Sequence, residues 1–301
     1  MNSFKKTLTV RIAQGIGNQL FMYANGYSLS KRYNYQLFID DTSGYFKRKD
    51  QLRTYELNNF LLEENLATAD LKFDTYSKNL KRKILINLDK FLNHKSFILE
   101  NKDSYKKTFF RKVNLDNYSN KLFLEGHFEC EKYFYEYKDD LRKMFKVKNN
   151  LLESNNLYIN DIKNNNSVSI CIRQNRYSEG RLKNNDKSLK FTKDTIDYIH
   201  RAITYIKQKI DNPKFFIWSN DFKNLREHFN EKDYVFVENS INKSLNDFHL
   251  FNFTKHFIVG PTSFHWWGAW LNNNPNKICL RPKNINPSNN RDFWPNEWIS
   301  I

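Results

Sequence analysis

Residues 257–271 read Phe-Ile-Val-Gly-Pro-Thr-Ser-Phe-His-Trp-Trp-Gly-Ala-Trp-Leu. This stretch decides the fold class, because it passes from strand-like to helix-like across one Gly-Pro break. The apolar run 257–259 suits a buried strand. Pro261 has no N–H for a neighbouring strand and stops the pairing. Thr262 and Ser263 are good N-cap residues for a helix behind them. A strand, a sharp turn and a helix start in that order make half of an α/β unit. The turn itself carries two readings. Amides and hydroxyls at a helix N-terminus can seat a phosphate. The same residues also describe an ordinary capped helix that packs Trp266, Trp267 and Trp270 into a core.

Outward from there, the C-terminal half repeats the pattern. Strands are predicted over 167–172, 214–218, 234–237 and 277–280, and helices over 192–210 and 245–254, with a polar loop before Phe191. Polar residues collect where the strands end: Arg173 after the first, Asp221 after the second, Thr262 and Ser263 after 257–259. Ligands of open parallel sheets bind at that edge. An arginine offers a planar two-donor fork for phosphate oxygens, and a nearby carboxylate can accept from a base or a ribose.

The N-terminal half opens the same way. Residues 8–12 alternate as a strand and run into Gln14-Gly15-Ile16-Gly17-Asn18-Gln19, then a helical segment. A dinucleotide fingerprint would place a glycine at position 20, where Leu20 stands. The glycines still let the backbone approach a ligand, and a plain tight turn fits equally well. A second strand is predicted at 36–40 and another at 121–124. Residues 56–110 and 134–145 have helical spacing. Within the former, 81–92 is basic and amphipathic, suited either to an anionic membrane surface or to a solvated helix face. The polar run 146–166 marks a boundary between domains 1–155 and 156–301.

Composition sets limits on this. A chain of 301 residues accommodates two domains. Aromatic residues make up 16% of it, which argues against disorder as the main state. The formal net charge of +16 favours anionic partners such as nucleotides, nucleic acid, membranes or phosphorylated glycans. Cys130, Cys171 and Cys279 are odd in number and far apart, so neither a disulfide framework nor a metal pair is indicated. With no secretory pattern and no long apolar span, the expected location is cytoplasmic, with peripheral contact at the inner face of the membrane. The sequence has no D-x-D, H-E-x-x-H, Walker A or G-x-S-x-G motif. A leaving diphosphate would then be neutralised by protein cations and N–H groups, with no metal and no cofactor.

Several stretches together resemble glycosyltransferase family 11, the α-1,2-fucosyltransferases. Gly15-Ile16-Gly17-Asn18-Gln19-Leu20-Phe21 with Tyr23-Ala24 is similar to that family's G-x-G-N-Q-x-F-x-Y-A. Gly126-His127-Phe128-Glu129 with Glu131-Lys132-Tyr133-Phe134 is similar to its G-Y-x-Q-S-E-K-Y-F, and Ser219-Asn220-Asp221 stands where it has S-D-D. Thr262 to Leu271 resemble its S-T-F-S-W-W-G-A-W-L. The matches run through nearly the whole chain. They imply a GT-B-like α/β fold with two Rossmann-like domains facing a cleft. They also imply GDP-β-L-fucose as donor, inversion at the fucose, and a glycan acceptor, typically the 2-OH of a terminal β-galactose.

By that resemblance Arg173 grips the donor phosphate and is the catalytic residue. Thr262, Ser263 and Phe264 form the phosphate-contacting turn, Asp247 reads guanine, and Asn18 and Asp221 also serve the donor. Gln19, His127 and Glu129 fall on the acceptor side. Glu129, Glu179 and Asp221 are candidate bases, and a departing phosphate oxygen can serve instead. The sequence departs from the family where H-x-R-R-x-D is replaced by Cys171-Ile172-Arg173-Gln174-Asn175-Arg176. The first arginine is kept, and Arg176 is placed to restore some positive charge. A related transferase using another nucleotide sugar therefore stays open. A nucleic-acid-binding protein is suggested by charge alone, and no nucleic-acid module supports it.

Overall fold

In a computed structural model the structure describes residues 6–46, 53–153, 156–178, 183–239 and 241–301. The chain divides into one unit of Met1–Phe145 with Ser288–Phe293 and a second of Lys146–Pro287 with Trp294–Ile301. The division thus falls ahead of position 155, and a short C-terminal segment rejoins the first unit.

The first unit contains β1 (Thr7–Arg11), α1 (Ile16–Tyr33), β2 (Gln36–Asp40), α2 (Tyr76–Leu88), β3 (Lys95–Leu99), β4 (Tyr118–Glu125) and α3 (Lys138–Met144). Its sheet runs β2-β1-β4-β3, with every pair parallel. Helix α1 ends where Asn34 takes up a left-handed conformation at φ 57°, and Lys31 and Arg32 face the negative end of its dipole. The helical spacing of 56–110 resolves into two 3-10 turns, at Leu57–Asn59 and Ala69–Leu71, and α2, followed by a strand that the spacing concealed. Strand β3 is set by Asp89, whose carboxylate accepts from the amides of Ser96 and Phe97, each at 2.8 Å. Phe97 then stacks on Phe123 at 5.2 Å. Over 134–145 the predicted single helix is replaced by one 3-10 turn at Tyr135–Tyr137 and α3, and Phe134 at φ −139° and ψ 5° separates that turn from another at Glu131–Tyr133.

The second unit contains α4 (Tyr158–Asn164), β5 (Asn166–Ile172), α5 (Asn185–Lys209), β6 (Pro213–Ser219), β7 (Tyr234–Phe236), α6 (Lys243–Leu250), β8 (His256–Ile258), α7 (Ser263–Leu271), β9 (Cys279–Arg281) and β10 (Ile299–Ser300). The sheet order is β10-β9-β8-β5-β6-β7, again with every pair parallel. Helix α5 starts well before 192: the Asn184 side chain accepts from the Lys187 amide at 2.8 Å, and Ser188 and Phe191 are buried in the early turns. Its inner face packs Tyr198, Ile199 and Ala202 on Val168, Ile170 and Ile172 of β5.

The strand order matters for function. The chain leaves β5 outward through β6 and β7, then returns to lay β8 against the other side of β5. The order reverses between β5 and β8, and such a switch point opens a ligand crevice at the strand C-termini. In the first unit the equivalent reversal lies between β1 and β4.

Candidate active site

The turn that follows β8 lies beside the end of β5, since Ile170 pairs with Ile258. A Cβ at Gly260 would lie 1.9 Å from the Cys171 carbonyl oxygen, so only glycine allows this approach. The Gly260 N–H donates to His265 Nδ1 at 3.0 Å. That places the ring proton on Nε2, which lies 2.9 Å from Ser169 Oγ. His265 is fully buried, and burial pushes its pKa down to about 3. Thr262 Oγ1 caps α7 by accepting from the His265 amide at 3.1 Å. One neutral imidazole therefore ties the turn to β5 while the cap ties it to α7. The amide of Phe264 in the first turn finds no backbone acceptor among the described residues. Its ring packs on Phe248 and Phe251 at 5.6 and 5.7 Å. Trp266 stacks on Trp270 at 5.9 Å within the core.

The trapped imidazole has a consequence for acid stability. The unfolded chain takes up a proton at His265 near the ordinary value of about 6.5, while the folded chain does so only near 3. Stability should therefore fall as pH falls between these values, by about 1.4 kcal/mol per unit from this group. In urea unfolding from pH 7 to 4, His265→Gln should show a shallower acid limb than the parent. Parallel limbs would refute the assignment.

Arg173 is half-buried directly after β5. Gln174, standing where the family resemblance has a second arginine, ties two strand ends together. Its backbone N–H donates to Asn220 Oδ1 at 2.8 Å. Its side-chain amide donates to the carbonyls of Asp221 and Lys223 at 2.7 and 2.8 Å. Asp221 Oδ1 accepts from the Lys223 amide at 2.9 Å, so its carboxylate helps close its own loop. Arg176 is engaged too, donating to the Pro287 carbonyl at 2.6 Å and stacking over Phe191 at 5.3 Å. Its cation thus serves packing of the C-terminal segment.

Asp247 sits on α6, buried, and accepts from Asn239 Nδ2 at 2.6 Å. Asn239 in turn accepts from Asn156 Nδ2 at 2.7 Å. Burial outweighs that hydrogen bond and pushes the Asp247 carboxyl up to about 7. Sequence reasoning missed Asn239 and Asn156. Nothing local marks them, because the pair spans a sequence separation of 83 residues. Burial, with the Asp247 charge second, pushes the Cys171 thiol up to about 12, so it stays protonated as a strand residue. Cys130 and Cys279 are likewise buried free thiols pushed up to about 12.

Asn18, Gln19, His127 and Glu129 lie in the first unit. Asn18 is half-buried in the first turn of α1, its N–H donating to the Gly15 carbonyl at 3.0 Å. Gln19 is fully buried: its amide donates to the Gln14 and Thr54 carbonyls at 2.9 and 2.8 Å and accepts from the Glu56 amide at 2.9 Å. Those contacts pin the loop at 54–56 and engage both the nitrogen and the oxygen of the Gln19 amide. His127 is half-buried after β4, its amide donating to Glu100 Oε2 at 3.0 Å. Glu129 accepts from the Ser288 hydroxyl, which anchors the returning C-terminal segment. Glu179 lies outside the described residues. Among those residues, no three His, Cys, Asp or Glu side chains gather into a metal-binding group.

Comparison with known proteins adds to this geometry. The model of Glycosyl transferase family 11 matches residues 1–301. An Escherichia coli alpha-1,2-colitosyltransferase is 29% identical, covering 98% of each chain. The Escherichia coli O-antigen biosynthesis glycosyltransferase WbnK is 26% identical, covering 96% of this chain and 99% of its own. Among solved structures, the NodZ alpha-1,6-fucosyltransferase co-crystallized with GDP superposes with a TM-score of 0.51 at 11% identity, covering 93% of this chain and 96% of its own. The likeness establishes the fold as GT-B-like, two Rossmann-type α/β units.

Proposed function

The chain belongs to glycosyl transferase family 11, and from that premise we propose that it transfers a 6-deoxy-L-galactose-type sugar from its GDP-linked form to a hydroxyl of a glycan. The observation that carries this is the gathering of Arg173 and the Gly260–Phe264 turn at the β5/β8 switch point, in the same unit as buried Asp247. Arg173 and the turn receive the diphosphate. The Asp247 carboxylate accepts from N1–H and N2–H₂ of guanine, a donor pair that adenine lacks. In the reaction an acceptor oxygen bonds to C1 of the sugar as the C1–phosphate bond breaks, with inversion. Charge collects on the leaving GDP, and the acceptor proton passes to a phosphate oxygen or a carboxylate. No metal is assigned to the step. Asn18, His127 and Glu129 belong to the unit proposed to serve the acceptor, a surface-polysaccharide sugar such as a terminal β-galactose.

Two donors fit. GDP-β-L-fucose follows from the family. GDP-colitose, whose sugar is the 3-deoxy form of fucose, is favoured by the likeness to a colitosyltransferase together with the altered segment at Cys171, Gln174 and Arg176. Transfer assays with GDP-fucose, GDP-colitose and UDP-sugars on a galactoside panel, with and without EDTA, decide between them. Turnover of one GDP-sugar, unaffected by EDTA, is expected. A preference for UDP-sugars, or a requirement for added metal, would overturn the corresponding part of the proposal.

The guanine contact predicts a pH dependence. A carboxylate whose pKa is near 7 must be ionised to accept both guanine donors. Affinity for a GDP-sugar, whose diphosphate diester does not titrate near neutrality, should weaken about tenfold per unit below pH 7. Calorimetric titration should show that slope in the parent and none in Asp247→Asn. An equal slope in both would remove Asp247 from the site.

A further inference from the structure

Helix α2 has two apolar faces, and only one is covered. Leu85 and Ile86 pack on the cluster that holds Phe73, Phe97 and Phe123, and Arg82 Nε donates to Glu125 Oε1 at 2.6 Å on the same side. At about 100° per residue, Leu80, Ile84 and Leu88 fall on the opposite side. Phe91 and Leu92 follow just past the helix end. These five side chains are between 51% and 86% exposed. On the helical projection Lys83 borders the stripe along one side and Lys81 along the other. With Lys90 and Lys95 they are exposed, and no ion pair holds them among the described residues. The sole acid between positions 75 and 95 is Asp89. It is buried, with its carboxylate committed to the amides of Ser96 and Phe97.

We propose that this face docks the protein peripherally on an anionic lipid bilayer. Charge selects the occupant. Two copies set face to face would oppose lysine to lysine across the stripe, and a neutral apolar groove would leave the cations unmatched. An anionic headgroup layer accommodates both features. Leucine, isoleucine and phenylalanine side chains enter the acyl boundary, while lysine stems lie along it and carry their charges to the phosphates. No helix of the described residues is long and apolar enough to cross a membrane, so the contact is in the plane of the surface. The proposal stands apart from the donor chemistry, since none of these residues belongs to the site above.

Flotation of the full chain with vesicles tests it. The parent should float with phosphatidylcholine vesicles containing phosphatidylglycerol and remain behind with phosphatidylcholine alone. Lys81→Gln with Lys83→Gln should weaken binding about 25-fold, roughly fivefold per lysine. Phe91→Ser with Leu92→Ser, placed beyond the helix, should weaken it more than about tenfold. Circular-dichroism melts should show both variants folded like the parent. Failure of the parent to float with anionic vesicles would overturn the proposal, as would flotation of the folded variants at parental strength. A parental dimer in sedimentation that the Phe91/Leu92 variant splits would assign the face to a second copy instead.

Discussion

Arg173→Ala is expected to lower kcat/KM for the GDP-sugar about a hundredfold or more, with most of the loss in kcat. The reason is where charge develops. The donor diphosphate is already anionic in the ground state, and breakage of the C1–O bond adds charge to the leaving oxygen. In the proposed reaction Arg173, half-buried directly after β5, meets that added charge, and such a contact is worth on the order of 3 kcal/mol. Gln174, next in sequence, cannot substitute, because its amide is spent on the Asp221 and Lys223 carbonyls. Arg176 cannot substitute either while it is bound to Pro287. Arg173→Lys should recover only part of the rate, since an ammonium restores charge but not the two-donor fork. Steady-state kinetics on folded variants decide the matter, and an alanine variant with parental turnover would sink the assignment.

Gly260→Ala should be the most damaging small substitution in the second unit. The added Cβ would sit 1.9 Å from the Cys171 carbonyl oxygen, a backbone atom within the β5 ladder that cannot swing aside. Either β8 parts from β5 or the turn lifts, and the second outcome breaks the Gly260–His265 hydrogen bond that holds the turn after β8. The cost is on the order of 3 kcal/mol, or a fall in Tm of about 10 °C. Donor turnover should be lost with it. Gly15→Ala makes the contrast: there the Cβ meets only the Arg53 side chain at 3.6 Å, and the cost should stay near about 1 kcal/mol for a weaker N-cap. Thermal melts of the two variants side by side provide the check, and equal losses would contradict the geometry.

Part of the site was legible in the chain because its signals are local. Thr262 as N-cap, the break at Pro261 and the position of Arg173 after an apolar run each depend on a few adjacent residues, and the structure places them so. Asp221 was legible only as a polar residue at a strand end, and Gln19 only as an amide in the motif that opens α1. Whether such a side chain faces a ligand or closes a loop depends on what lies across from it: Lys223 for Asp221, and Gln14, Thr54 and Glu56 for Gln19. Strand β3 was hidden because five residues between helical spacings carry little periodic signal, and its pairing with β4 alone makes it a strand.

The stretch at 257–271 determined by itself that a strand ends in a capped helix, since proline geometry and capping act over one or two residues. The basic, apolar character of α2 and the family motifs were also present in the sequence alone. Only the tertiary structure decided that β8 returns to the far side of β5, and that Asn156 and Asn239 support Asp247 from distant positions. It also decided that Ser288–Phe293 rejoins the first unit. These outcomes rest on burial and hydrogen bonding between residues far apart in the chain. Their energies depend on which surfaces meet, and no local propensity encodes that.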